Sequence, residues 1–588
     1  YMINKTMMRI DLPRPLKAGG NVSFKIDWSY NVNNRADDGG RSGMEFFPED
    51  GNYLYTIAQF FPRMAVYDDV EGWQNKQFLG RGEFALTFGD YEVDITVPSD
   101  FIVGASGTLQ NMKEVLTEDQ LARFEKAKST YDKPVMIVTE KEARKAEKTK
   151  ASDTKTWSFK ADNVRDFAFC ASRKFIWDAM AVKLSDDNSP LAMSYYPKEG
   201  NPLWEEYSTL AVAQTLETYS KHTIEYPYPV AISVHTASIG MEYPMICFNY
   251  GRPDADGNYS DRKKYGMISV IIHEVGHNFF PMIINSDERQ WTWMDEGLNT
   301  FVQYLTEKDW DPDYPSRRGP AANIVPYMSG EQGLARPIMT NSEQIRQFGS
   351  NAYAKPATAL NILRETIMGP ELFDYAFKTY AERWAFKHPS PADFFRTMED
   401  ASAVDLDWFW KGWFYTTDYV DVSVDNVKWM RMQNEEDGLE TRNVTVSDAA
   451  IDGDGKTSFG EEPQMFKLED AQRSAWSEFM TGYDNEGIRA KLADKNFYEI
   501  TFKNQGGLVT PLLIQWTYED QTTEIEQIPA EIWKINEKSV TKVFVKDKKV
   551  VSVSLDPNRK TADVDIEDNV FPRREGMSRF DQFKAGGQ

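Results

Sequence analysis

Alternating apolar and polar positions predict β-strands in the first third of the chain. The alternation is clearest at residues 22–28, 91–97 and 157–159, and Asp-Gly or Gly-Gly pairs separate several of these runs. Thr117 and Gln120 form a capping-box pattern ahead of Leu121, which predicts one helical insertion. The stretch 141–155 is rich in Lys and Glu and predicts a solvated loop or insert.

Helical periodicity dominates the middle of the chain, from about residue 177 to residue 420. Leu210, Ala213, Leu216 and Tyr219 share one helix face, and later periodic segments run from 357 to 368 and from 371 to 384. The Tyr-Pro-Tyr-Pro sequence at 226–229 breaks the chain ahead of a predicted strand at 230–235.

Strand patterns return in the last third, at residues 498–502, 512–516, 543–545 and 550–555. Short strands separated by turn residues favour a β-sandwich. Residues 452–455 read Asp-Gly-Asp-Gly but lack the Gly and Glu that a calcium loop needs at its sixth and twelfth positions, so they predict a turn.

The overall charge constrains the partners of the protein. A formal net charge of −24 argues against nucleic acid or an anionic lipid surface as a partner. No apolar run reaches the length of a membrane span, so we expect no transmembrane segment. Length alone, at 588 residues, favours about three domains.

Cys170 and Cys247 both lie in apolar sequence, which favours two buried thiols, with a single disulfide as the alternative. The chain starts at Tyr1 without a signal-like segment, so either a signal has been removed or the sequence is trimmed. Together with the acidic composition, this start leans toward an exported protein, periplasmic or extracellular. The oligomeric state is open.

The most informative stretch is the apolar run at 271–280, which contains His273-Glu274-x-x-His277. Residues four apart lie on one face of a helix, so the two imidazoles can bind one ion. Zn²⁺ suits neutral imidazole, and a catalytic zinc has three protein ligands and one open position. Glu296, with eighteen residues between it and His277, is the predicted third ligand, and it begins another amphipathic stretch.

Chance is a weak explanation for this pattern. The chain has only five His, so an accidental match to the motif is expected in roughly three chains per thousand. Zinc lowers the pKa of a bound water to about 7, and Glu274, next to the first ligand, is placed to take the proton of that water. We therefore expect one Zn²⁺ per chain.

The motif with Glu296, preceded by Gly240-Met241-Glu242-Tyr243-Pro244, resembles the gluzincin aminopeptidases, which include aminopeptidase N and leukotriene hydrolase. This resemblance implies a multidomain α+β fold. Its expected parts are an N-terminal antiparallel β saddle at 1–177, a thermolysin-like, mostly helical zinc catalytic domain at 178–420 and a C-terminal β-sandwich-like domain at 421–588. The activity it implies is zinc-dependent hydrolysis of the N-terminal peptide bond of peptides.

The resemblance also implies a role for Tyr353. The segment at 351–356 is similar to the Tyr-x-Lys-Gly segment of the family, with Pro356 in place of Gly. Tyr353 is then the hydroxyl that stabilises the oxyanion of the tetrahedral intermediate. The alternative is a Tyr that only packs at an interface.

Substrate binding is implied for the stretch around Glu242. In the family the corresponding Glu holds the free α-ammonium, and Gly240 and Met241 belong to the same edge strand. Tyr243 replaces the usual Asn. Gln59 matches a Gln that the family presents to the substrate, but Phe61 stands where a second polar residue is usual.

Three functions therefore stay open. The first is an aminopeptidase, the second is a zinc oligo- or endopeptidase on the same scaffold, and the third is a catalytically silent peptide-binding or scaffold protein. Phe61 leaves the first two open: Gln59 and a backbone carbonyl can complete the contacts of the ammonium beside Glu242, or an apolar pocket wall admits longer, internally cleaved peptides. The intact set of His273, Glu274, His277 and Glu296 disfavours the third.

Overall fold

The computed structural model describes residues 1–431, 440–443, 464–467 and 495–573. The chain forms two compact units. The first comprises Tyr1–Gly319, Ile338–Leu360 and Pro370–Asp405, and the second comprises Pro320–Pro337, Asn361–Gly369 and Leu406–Gln588. The predicted domain boundaries at residues 177 and 420 stay predictions.

Two antiparallel sheets make up most of the N-terminal part of the first unit. One has four strands in the order Gly43–Phe47, Asn52–Ile57, Phe169–Ser172, Ile102–Ala105. The other has three, in the order Gly89–Pro98, Thr154–Val164, Thr108–Leu109. Two further pairs are short hairpins: Met2–Asn4 with Met7–Arg9, and Tyr67–Asp68 with Gly72–Trp73. The strands predicted at 91–97 and 157–159 are confirmed.

Two predictions for this region are wrong. Residues 22–28 form no strand; Phe24 and Trp28 are about half exposed, and the segment has no pairing partner among the described residues. A strand without a neighbour cannot satisfy its backbone hydrogen bonds within a sheet, so alternation alone does not produce one. In the stretch predicted as a loop, Glu140–Ala146 is a helix, because Thr139 and Glu142 form a capping box.

The first unit also contains a six-stranded mixed sheet. Its strand order is Val135–Val138, Ile176–Ala181, Leu191–Tyr196, Val230–Thr236, Ile246–Tyr250, Met241–Tyr243. The parallel strand at Val230–Thr236 is buried at every residue, including the polar Ser233 and His235. Among the described strands, the last one, Met241–Tyr243, pairs on one side only, and its other edge borders the site described below.

Helices make up much of the remainder of the chain, and the predicted ones are present. The α-helices are Arg35–Asp38, Met112–Val115, Glu118–Ala127, Glu140–Ala146, Leu203–His222, Asp261–Gly276, Leu298–Trp310, Ala321–Met328, Lys355–Ile362, Pro370–Trp384, Pro391–Ser402 and Asp407–Tyr415. π-Helical turns occupy Trp293–Gly297, Gly349–Ala354 and Leu363–Met368, and short 3₁₀ turns occupy Lys198–Gly200 and Ala530–Trp533. None of the helices in the described part of the chain combines the length and apolar character needed to cross a lipid bilayer.

The second unit contains the predicted C-terminal strands. One antiparallel sheet has the order Val422–Arg431, Asn496–Asn504, Ser539–Lys546, and another has the order Thr523–Ile528, Leu512–Tyr518, Val550–Leu555, Val570–Phe571. Trp516 packs against Tyr498 and Phe544 with ring centroids 6.1 and 5.0 Å apart, so aromatic side chains fill the space between the two sheets. Glu440–Asn443 pairs with Gln464–Lys467. The turn predicted at 452–455 lies outside the described residues.

Candidate metal centre and active site

The two histidines of the motif lie at the end of the helix Asp261–Gly276. Ser260 caps its first turn, and Ile271 and Ile272 are fully buried, so capping and burial both favour this helix. His273 lies on its last turn, and His277 follows directly after it. Both imidazoles are buried.

Three possible ligand atoms form a small triangle. The Nε2 atoms of His273 and His277 are 3.1 Å apart, and Glu296 Oε2 lies 3.1 Å from the first and 3.3 Å from the second. Bonds of about 2.0–2.1 Å to a tetrahedral zinc separate neighbouring donor atoms by about 3.3 Å. The spacing of these three atoms therefore fits one zinc ion.

The hydrogen-bond partners of the rings support the same conclusion. The Nδ1 atom of His277 faces the carbonyl oxygen of Phe280 at 2.8 Å, and that of His273 faces Gln303 Oε1 at 2.9 Å. Both partners can accept a hydrogen bond, and in the tautomer with hydrogen on Nδ1 each Nε2 atom offers a lone pair to a metal. In that tautomer the two Nε2 atoms, 3.1 Å apart, can bind the same cation.

The electrostatics also favour a cation. Burial alone would lower the pKa of His277, but the carboxylates of Glu242, Asp295 and Glu296 raise that pKa well above its usual value. This means that the potential at the ring is strongly negative. A divalent cation at the triangle would balance that potential.

Residues that the sequence analysis did not identify hold the ligands in place. Asp295 Oδ1 lies 2.9 Å from His277 Nδ1, and the Asn299 side-chain amide donates to the backbone oxygen of His273 at 2.8 Å. Carboxylate and amide partners of this kind orient metal-binding imidazoles. The sequence does contain a signal for them, since Asn299 and Gln303 follow Glu296 by three and seven residues and so share its side of a helix.

Glu296 and Tyr353 both lie on π-helical turns, Trp293–Gly297 and Gly349–Ala354. π-Helical turns are rare in proteins overall, but those that occur are often at functional sites. The extra residue in the turn changes the direction of a side chain. The two turns pack closely at Gly297, where a Cβ atom would lie 3.1 Å from the backbone oxygen of Ala352 and 2.6 Å from Cγ of Pro356 in the helix that follows. Glycine at position 297 therefore lets the two turns approach each other.

Tyr353 lies at the metal triangle. Its hydroxyl donates to Glu296 Oε1, and its ring stacks on His273 with centroids 5.7 Å apart. The guanidinium of Arg318, a residue not expected from the sequence, lies 4.4 Å from the ring centroid. Burial, with the charge of Glu296, raises the pKa of Tyr353 well above its usual value, so the hydroxyl stays a donor.

Glu274 faces the same space and is not one of the three triangle residues. Burial, followed by the charge of Glu242, raises the pKa of Glu274 well above its usual value. A carboxyl group with a raised pKa is suited to accept and return a proton near neutral pH. Gly240 passes so close that a Cβ atom there would lie 2.2 Å from Glu274 Oε1.

The edge strand Met241–Tyr243 brings Glu242 to this space. A carboxylate oxygen of Glu242 lies within 4.8 Å of ligand atoms of Glu274 and His277. A cavity of about 230 Å³ joins these groups. Its lining residues are Arg41, Glu83, Ile239, Gly240, Met241, Glu242, His273, Glu274, His277, Glu296 and Tyr353.

Gln59 is the predicted site residue that does not line this cavity. It has a positive φ of 53°, and its side-chain amide donates to the hydroxyl of Tyr243 at 3.2 Å. Phe61 packs against Phe60 and Tyr91. Two residues that the sequence did not single out, Arg41 and Glu83, line the cavity instead.

Sequence comparison agrees with this geometry. Residues 207–413 match the sequence model of the Peptidase family M1 domain. The chain carries an M1 peptidase domain. The resemblance inferred from the zinc motif is confirmed at this level, and the matched residues include His273, His277, Glu296 and Tyr353.

The chain is also similar, at low identity, to known aminopeptidases. Mitochondrial aminopeptidase 2 of Saccharomyces cerevisiae is 22% identical over 333 residues, which span 51% of this chain and 34% of the relative. Human glutamyl aminopeptidase is 25% identical over 166 residues, which span 27% and 17% of the two chains. The aligned part of the chain thus spans about a third or less of these relatives.

The fold comparison extends further along the chain. The crystal structure of Legionella pneumophila aminopeptidase A in complex with aspartic acid superimposes with a TM-score of 0.51 at 12% identity. It covers 89% of this chain and 48% of that one. The predicted multidomain α+β fold class is confirmed.

Proposed function

We propose that this protein is a zinc-dependent aminopeptidase that hydrolyses the N-terminal peptide bond of peptides. The observation that carries the proposal is the triangle of His273, His277 and Glu296, with donor atoms 3.1–3.3 Å apart and a negative potential around them. The M1 domain match and the names of the aminopeptidase relatives support the same class of reaction.

His273, His277 and Glu296 would hold the zinc. When bound, Zn²⁺ supplies Lewis acidity, which polarises the scissile carbonyl and makes water a better nucleophile near neutral pH. Glu274 takes a proton from the attacking water and passes it to the nitrogen of the leaving amine. The Tyr353 hydroxyl donates to the carbonyl oxygen as negative charge develops on it.

Glu242 is the residue that favours an exopeptidase over an endopeptidase. Its carboxylate is buried, lies on the open edge strand, and is close to Glu274 and His277. A buried carboxylate is a strong partner for the free α-ammonium of a peptide. That contact would place the first peptide bond, and no later one, beside the metal.

The test compares aminoacyl-coumarin substrates with amino-acetylated peptides of matching sequence. An aminopeptidase cleaves the first set and spares the second. Internal cleavage of the acetylated peptides would favour the endopeptidase function, and zinc-loaded protein that cleaves neither set would favour the silent one.

Glu242→Gln sharpens the same test, because it removes the charge and keeps the shape. We expect a much larger loss of kcat/KM on free-amine substrates than on amino-blocked ones. Glu71→Gln, an identical change at an exposed site, is the control. Equal losses on both substrate types would argue against amine binding by Glu242.

A further inference from the structure

An ion pair between Arg41 and Glu83 forms one wall of the catalytic cavity. The two side chains are only 29% and 13% exposed. Neither belongs to the zinc motif or to the edge strand that carries Glu242. Their position suggests a role in substrate binding.

The loop that carries Glu83 is fixed on both sides of that residue. Arg81 donates to the backbone oxygen of Ile345 at 2.9 Å, and the backbone N–H of Phe84 donates to the buried carboxylate of Glu288 at 2.9 Å. Gly82 has a φ of +70°, and a Cβ atom there would lie 2.3 Å from Ser342 Oγ. The direction of the Glu83 side chain is therefore set by its neighbours, although it lies in a loop.

Arg41 lies two residues before the strand Gly43–Phe47, close to a point where the chain is held. The next residue, Ser42, accepts a hydrogen bond from the backbone N–H of Ala58 at 3.0 Å, which ties this end of the strand to its neighbour. The guanidinium then holds the Glu83 carboxylate at the cavity wall. A carboxylate has about four lone-pair sites, so Glu83 can accept hydrogen bonds from a ligand while it contacts Arg41.

The summed charge of the cavity selects the kind of ligand. Four carboxyl groups line it, those of Glu83, Glu242, Glu274 and Glu296, against the one guanidinium of Arg41. The net charge is −3 with Glu274 ionised and −2 with Glu274 protonated, so a bound Zn²⁺ leaves −1 or zero. With Glu274 ionised, as its role as proton acceptor requires, the cavity keeps a negative charge beside bound Zn²⁺ and attracts a cationic group of the substrate more than a carboxylate.

We propose that Glu83 is a second binding residue for the α-ammonium of the peptide, beside Glu242, and that Arg41 positions it. An ammonium group has three N–H donors, and one carboxylate seldom satisfies all three. The family resemblance placed a second polar residue at position 61, where Phe61 packs against Phe60 and Tyr91. Glu83 supplies a carboxylate to the same cavity from a different segment. The inference rests on the proposed aminopeptidase function.

The test measures the contribution of the amine directly. Leucine hydroxamate and 4-methylpentanohydroxamate share a zinc-binding group and a side chain and differ only by the α-amine. Their affinities for the zinc-loaded protein are measured by calorimetry. The variants are Glu83→Gln, Arg41→Gln and the control Glu71→Gln, with zinc content determined for each.

Glu83→Gln should weaken leucine hydroxamate about tenfold or more and leave 4-methylpentanohydroxamate unchanged, because a charge-assisted hydrogen bond is lost. Arg41→Gln should act in the same direction with a smaller change, and Glu71→Gln should change neither affinity. If Glu83→Gln does not fold, Glu83→Asp, which keeps the charge and shortens the reach, should weaken only the amine-containing compound.

Equal loss of both affinities in the Glu83 variants, or no loss in either, would overturn the assignment of Glu83. A wild-type protein that binds the two hydroxamates equally well would contradict the proposed aminopeptidase function itself. The two failures are therefore distinguishable.

Discussion

Two clusters of potential metal ligands in this protein differ in what balances their charge. In each cluster three ligand atoms lie within 4.8 Å of one another. In the cluster of Asp50, Glu147 and Glu199, the Lys174 ammonium contacts all three carboxylates, and the Lys198 ammonium contacts Asp50 and Glu147 at 2.9 and 2.6 Å. The ammonium groups of Lys174 and Lys198 thus balance the charge of that cluster, which we call the lysine-filled cluster.

The cluster of His273, His277 and Glu296 is different. Within the described residues, the polar contacts of the Glu296 carboxylate come from His273, His277 and Tyr353, and none of these is a lysine or an arginine. A group of carboxylates is thus a metal candidate only where the fold does not supply a cation of its own. That difference can be tested from both sides.

At the histidine cluster, Glu274→Gln should separate zinc binding from catalysis. We expect full zinc content and a loss of at least about 10²-fold in turnover, because the amide cannot take a proton from water. Zinc analysis and kcat on an aminoacyl-coumarin measure the two quantities. Near-normal turnover would remove Glu274 from its proposed role.

At the lysine-filled cluster, Lys174→Met should lower the stability of the protein and leave zinc binding unchanged. The Lys174 side chain is fully buried, so its loss leaves carboxylates unpaired at a cost of roughly 3–5 kcal/mol in the free energy of unfolding. Denaturant unfolding measures this cost. Lys198→Met, at a side chain that is 21% exposed and contacts only two of the three carboxylates at under 3 Å, is the matched comparison and should cost less than Lys174→Met.

A smaller effect is expected at Asp295, whose carboxylate faces His277 Nδ1. Asp295→Asn keeps an acceptor there and removes the charge, so zinc affinity should fall about 10-fold. Competition with a chelator of known affinity measures the zinc affinity of the variant. Unchanged affinity would mean that the carbonyl of Phe280 alone orients the ring.

The smallest expected effect is a pH dependence at the lysine-filled cluster. Burial opposes ionisation of Asp50, but hydrogen bonds from Lys174 and Lys198 lower its pKa to about 2. The stability that ionised Asp50 contributes is complete above its unfolded pKa near 4 and is lost as pH falls toward 2. The stability difference between wild type and Asp50→Asn should therefore shrink over that range, and a difference that grew would contradict the assignment.

The sequence predicted those parts of the fold and site that depend on local patterns. The helix before His277 and the capping box at Thr117 involve residues a few positions apart, and both are confirmed. The placement of Glu296 near the histidines required only two helices and a reversal of the chain. Local spacing was sufficient for each.

Features that depend on distant neighbours were missed or wrong. Residues 22–28 alternate like a strand, but no described strand pairs with them. Arg41 and Glu83 are 42 residues apart and meet only in the folded chain, and no motif marks either one. Gln59 was expected to face the substrate, yet its backbone conformation turns its amide to Tyr243, which no spacing rule reveals.

The central claim is that His273, His277 and Glu296 hold one zinc ion. Metal analysis of gently purified wild type beside Glu296→Gln tests it most directly. We predict close to one Zn²⁺ per wild-type chain and a clear deficit in the variant. Wild-type protein without bound metal, or equal zinc in both proteins, would contradict the account.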